Sequence, residues 1–123
     1  MSVVVVAWTR GAEGWAALLR GAEEARLRGA RLSVFGDVPE QVLSRLSAEA
    51  GDVPVSTETI ADGETRDLPS RVIDASYEDD VVLVAVGMRR RSPIGKMLVG
   101  DLAQRILLEA HCSVLAVKPP AGA

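Results

Sequence analysis

Between Gly87 and Gly100 the chain gathers Arg89, Arg90, Arg91 and Lys96, and Asp101 follows directly. An apolar run over residues 81–86 precedes this stretch and an amphipathic helical pattern follows it. Cations set between a buried strand and a helix start suit an anion, because the first backbone N–H groups of a helix lack partners and its dipole is positive there. A small phosphate-bearing ligand is the chemistry this arrangement points to, held by guanidinium groups through charge-assisted hydrogen bonds. Consecutive arginines repel one another unless an anion, or acidic neighbours such as Glu78, Asp79 and Asp80, screen them. Binding is therefore expected to order a loop that Gly87 and Gly95 leave free to close.

Other polar residues have structural readings beside the chemical ones. Asp101 with Gln104, and Asp37 with Glu40, both match the capping box, in which the carboxylate satisfies helix N–H groups rather than a ligand. Trp8 ends a strand, where it either packs or offers a face to a purine. His111 and Cys112 are adjacent, but no second His or paired Cys completes a metal site. No Walker pattern, no dinucleotide Gly-x-Gly-x-x-Gly and no nucleophile–base pair stands out, so the sequence supports no catalyst.

The elements that position these residues follow from periodicity. Residues 3–8 are an unbroken apolar run without polar alternation, the pattern of a strand buried on both faces. Residues 13–28 form a helical stretch with Trp15, Leu18, Leu19, Ala22 and Ala25 on one face and Gly29 as its C-cap. A second strand over 31–35 leads to a helix that Asp37 caps, running to Ala50 and burying Val42, Leu43, Leu46 and Ala50. A more exposed strand covers 55–60 and Gly63 closes it. Asp67, with Pro69 in the first turn, starts a third helix with Leu68, Val72 and Ala75 on one face. After the strand over 81–86 comes the basic connection 87–100. The last helix carries Val99, Leu102, Ala103, Ile106, Leu107 and Ala110 as its apolar stripe, and residues 113–117 are the last strand. Five strands alternating with four helices predict an α/β fold: a doubly wound five-stranded parallel sheet with helices on both faces. In such a sheet ligands bind outside the carboxyl ends of the strands, which selects Trp8, Thr9 and Arg10, Gly36 and Asp37, and residues 87–91.

Composition sets the outer limits. The 123 residues predict one domain spanning 1–123, and 48% hydrophobic with 25% charged residues describes an ordinary globular chain. A net charge of −3 opposes a nucleic-acid or anionic-membrane surface. One cysteine allows no internal disulfide, and the N-terminal apolar run is too short for a signal or a span, so a cytoplasmic location is expected.

The segment from Gly87 to Asp101, followed by Leu-Ala-Gln-Arg-Ile-Leu and later by Cys-Ser-Val-Leu-Ala-Val-Lys, resembles the C-terminal signature of universal stress proteins. The resemblance runs from about Val3 to Pro119 and is weakest between Gly51 and Asp67. It implies an adenine nucleotide alpha hydrolase-like, Rossmann-like fold with ATP or AMP as ligand. ATP-binding members carry a Gly, two residues, a second Gly, nine residues, then Gly and Ser or Thr. Here Gly87 and Gly100 match, Arg90 replaces the second Gly and Asp101 the hydroxyl residue; Thr9 stands where those members carry an Asp near the adenosine. Carried over residue by residue, the resemblance implies adenosine near Trp8, Thr9, Asp37 and Val86, and phosphates near Gly87, Arg90, Gly100, Asp101 and Leu102; Arg89 joins them from the basic stretch itself. It also implies a homodimer through the C-terminal edge strand.

The leading expectation is a non-enzymatic, nucleotide-responsive stress protein with a degraded phosphate-binding motif. The alternative is a dimeric interaction module of the same fold that binds no nucleotide, and a weaker one is a small nucleotide-dependent hydrolase or transferase.

Overall fold

Four successive valines at positions 3–6 leave no polar side to turn toward water, and in the structure all four are 2% exposed or less. The computed structural model describes residues 1–60, 67–91 and 96–120, with 90, 91 and 96–98 described as backbone. The valines lie in β1 (Val3–Ala7), the middle strand of a five-stranded sheet. β2 (Arg31–Phe35) and β4 (Val81–Gly87) flank it, with β3 (Val55–Glu58) beyond β2 and β7 (Ser113–Val117) beyond β4. Every pairing in this sheet is parallel, from Val3 opposite Arg31 to Gly87 opposite Val117.

Alternation along β1 divides the core into two layers. Val4, Val6 and Trp8 pack with Leu18, Ala22 and Leu46 from α1 (Ala12–Arg28) and α2 (Glu40–Ala50). Val3, Val5 and Ala7 pack with Val72 and Ile73 of α3 (Leu68–Ala75) and with Ala103 and Ile106 of α4 (Asp101–Glu109). Helices thus cover both faces, as the apolar runs require. Each buried valine contributes on the order of 1.5–3 kcal/mol of transfer free energy. α1 ends at Gly29, which takes the left-handed conformation at φ 61° expected of a C-cap glycine. Asp67 and Pro69 stand at the start of α3 as the sequence indicates.

Four expectations are corrected. The basic connection is not a simple loop: β5 (Arg89–Arg91) pairs antiparallel with β6 (Lys96–Leu98) as a two-stranded hairpin. α2 begins at Glu40 behind Pro39, so Asp37 is not its cap; Pro39, at φ −59° and ψ 146°, sets the entry and makes no side-chain cap bond. Gly100 is the N-cap residue of α4, which leaves Asp101 as the first helical residue without a capping bond. Val99 lies before α4 and is 39% exposed, and Leu107 is 42% exposed, so neither belongs to the buried stripe. Gly63 and Gly95 lie outside the described residues.

Candidate functional site

From β1 the chain proceeds to β2 and β3 on one side, then crosses back to β4 and β7 on the other. The strand order reverses between β1 and β4, and a crevice forms there at the carboxyl ends. It holds a cleft of about 540 Å³ lined by apolar Trp8, Ile60, Leu68 and Leu102 and by polar Thr9 and Asp37, among others. Adjoining it is a smaller chamber of about 180 Å³ that Gly87, Arg89 and Gly100 help to form, the inner of the two toward the end of β4. Thr9, Asp101 and Leu102 line both. The larger space is the size of a small-ligand site.

Thr9 follows β1 and is fixed by close backbone packing: a Cβ on Gly14 of α1 would lie 1.5 Å from the Thr9 carbonyl oxygen. Its Oγ1 is buried with no hydrogen-bond partner among the described residues. Such an orphan hydroxyl costs about 1–3 kcal/mol, which a ligand atom can recover.

The two motif glycines differ in what they do. A Cβ on Gly87 would sit 2.2 Å from the Glu13 carbonyl oxygen, so packing against α1 accounts for that glycine. A Cβ on Gly100 would meet nothing within 4 Å, so the core places no demand there. Gly100 faces the inner chamber, where its bareness leaves room for close approach to the backbone.

Charge at the inner chamber is mixed. Arg89 is drawn to Glu13 at 3.9 Å, not to the acidic run at 78–80, and its side chain is largely exposed. Asp101 adds a second carboxylate. Arg105 lines the outer cleft while bonding Glu109 at 3.2 Å and Ser70 Oγ at 3.0 Å. Across both spaces Arg10, Arg89 and Arg105 face Glu13, Asp37 and Asp101, three cations against three anions among the described lining residues.

Of the residues selected from the sequence, the structure brings Trp8, Thr9, Asp37, Gly87, Arg89, Gly100, Asp101 and Leu102 to this crevice. Val86 departs from that expectation: it is 1% exposed, packs in the core beneath and lines neither space. The side chain of Arg90 lies outside the described residues, and its backbone belongs to β5. Ile60, Leu68, Pro69 and Arg105 were missed because they come from helix faces and from the segment after β3. Arg105 carried one signal, its position four residues after Asp101 on the same helix face. Cys112 is not a reactive thiolate candidate, since burial pushes its thiol above the usual range.

A five-stranded parallel sheet covered by helices on both faces, with a crevice at its switch point, defines a doubly wound α/β protein. Comparison with known proteins narrows this. The universal stress protein family model matches residues 37–118. A universal stress protein of Mycolicibacterium smegmatis is 33% identical, over 95% of this chain and 98% of its own. The solved universal stress protein from Archaeoglobus fulgidus aligns at 26% identity with a TM-score of 0.73, over 96% of this chain and 98% of that one. A structure from the same organism in complex with dAMP aligns at 22% identity and a TM-score of 0.69, with the same coverage. The chain belongs to the universal stress protein family.

Proposed function

We propose that this chain is a cytoplasmic, non-enzymatic, nucleotide-responsive universal stress protein whose phosphate-binding motif is degraded. The observation that carries the reading is the cleft of about 540 Å³ at the switch point, joined through Thr9, Asp101 and Leu102 to the chamber beside Gly100. A fold neighbour solved with dAMP supports an adenine nucleotide as the ligand class. The apolar lining and the unpaired Thr9 hydroxyl suit a nucleoside. The phosphate end suits a polyphosphate poorly: Asp101 stands where a hydroxyl serves ATP-binding members, and Glu13 lies 3.9 Å from Arg89. A carboxylate about 4 Å from a phosphate charge costs on the order of 4 kcal/mol at an effective dielectric of 20, and less at an exposed position such as Asp101.

The non-enzymatic part rests on the lining, whose described residues place no His or Cys beside Thr9. The cytoplasmic part rests on the single cysteine and the acidic net charge. No helix among the described residues is long and apolar enough to cross a membrane. The dimer implied by the resemblance is supported by β7, which stands at the sheet edge with half-buried Val114, Leu115, Ala116 and Val117.

The test is to denature freshly purified protein, identify any released nucleotide by chromatography, and titrate AMP into the stripped protein by calorimetry. Saturable one-to-one binding is expected. The second reading, an interaction module that binds no nucleotide, is favoured by Glu13 and Asp101 flanking the inner chamber. No released nucleotide and no heat of binding would establish it instead.

A further inference from the structure

We infer that the crevice reads a nucleoside or nucleoside monophosphate in preference to a polyphosphate, and that Thr9 is the residue that recognises it. This rests on the reading of the cleft as an adenine-nucleotide site and names which members of that class it takes. Two observations carry it. The first is the division of the crevice into unequal parts of different character. The outer cleft is large and bounded by Trp8, Ile60, Leu68 and Leu102. The inner chamber is a third of that size, and its described lining sets two carboxylates, Glu13 and Asp101, against one arginine. That arginine, Arg89, stands 3.9 Å from Glu13, a half-buried acid, while its own side chain is 68% exposed. Each added phosphate would bring charge toward a space whose described lining residues hold no surplus of positive charge to receive it. An uncharged ribose meets no such opposition, and a single phosphate in the outer cleft finds Arg10 and Arg105 to set against Asp37 and Asp101.

The second observation is the Thr9 hydroxyl, buried and unpaired on a residue that lines both spaces. A hydroxyl both donates and accepts, so it can pair with a ribose hydroxyl or a phosphate oxygen without carrying charge. Its backbone is held by contact with Gly14, so the group is fixed in place before ligand arrives.

The experiment titrates adenosine, AMP and ATP, with Mg2+ present, into wild type, Thr9→Val and Thr9→Ser. Wild type should bind adenosine and AMP at least about tenfold more tightly than ATP. Thr9→Val, which keeps the shape, should lose about three- to tenfold in affinity for adenosine and AMP, and Thr9→Ser should restore it. If ATP binds wild type as tightly as AMP, or if Thr9→Val binds like wild type, the inference is overturned while the nucleotide site stands. Equal losses in Thr9→Val and Thr9→Ser would reduce Thr9 to a packing residue and overturn its role. Binding of none of the three ligands would overturn the nucleotide reading itself.

Discussion

Gly87 at the end of β4 lies against the backbone of Glu13 in the first turn of α1, so closely that a methyl group would come 2.2 Å from the Glu13 carbonyl oxygen. This contact seats the helix start on the strand end and builds one wall of the inner chamber. Gly87→Ala forces the helix off the strand and should destabilise the protein by about 1–3 kcal/mol. Gly100→Ala, entering open space at an N-cap, should cost less than about 1 kcal/mol. Urea unfolding of the two variants checks the contrast.

Asp101 makes no capping bond, so its carboxylate contributes to α4 only through the helix dipole. Asp101→Ser should change stability by about 0.3–1 kcal/mol or less. It also removes a negative charge from both parts of the crevice, so ATP affinity should rise by about tenfold. Calorimetry reads the affinity, and an unchanged value would clear the carboxylate of any part in limiting ATP.

Ser76 is 1% exposed and ties two distant segments together. Its hydroxyl donates to the Ile73 carbonyl at 2.5 Å and accepts the His111 backbone N–H at 2.9 Å. Ser76→Ala leaves that N–H unpaired where the end of α3 meets the start of β7, and should cost about 1–3 kcal/mol. The midpoint of urea unfolding measures it, with a fall in midpoint at constant slope expected.

β7 presents an unpaired edge to solvent, and Leu108 on neighbouring α4 is 76% exposed. A homodimer through this edge should persist at micromolar concentration in sedimentation velocity. A single monomeric species would remove the dimer from the account.

The central strands were legible because the runs at 3–6 and 81–86 carry no polar residue to place on a wet face. The hairpin was not. Three consecutive arginines carry neither alternation nor β-branching, and the antiparallel pairing of Arg89 with Leu98 is a tertiary outcome that local pattern does not report. Both capping boxes misplaced a carboxylate for a related reason. At α2 the fixed φ of Pro39 starts the helix two residues after Asp37, and at α4 the extended Gly100 takes the cap and moves Asp101 into the first turn. Those shifts free both acids to line the cleft, which the capping pattern argued against. Thr9 and Asp37 could be found because ligands gather where strands end in an open parallel sheet, and Asp101 through its place in the motif the resemblance supplies. Ile60, Leu68 and Pro69 needed the fold, since their place depends on how α3 lies across the sheet.

Whether the crevice between β1 and β4 takes an adenine nucleotide is read by titrating the isotopically labelled protein with AMP and following backbone amide chemical shifts. Saturable shifts centred on Thr9, Asp37, Gly100, Asp101 and Leu102 are expected, with little change along α1 beyond its first turn. Shifts that never saturate, or that saturate while those five amides stay still, would contradict nucleotide binding there.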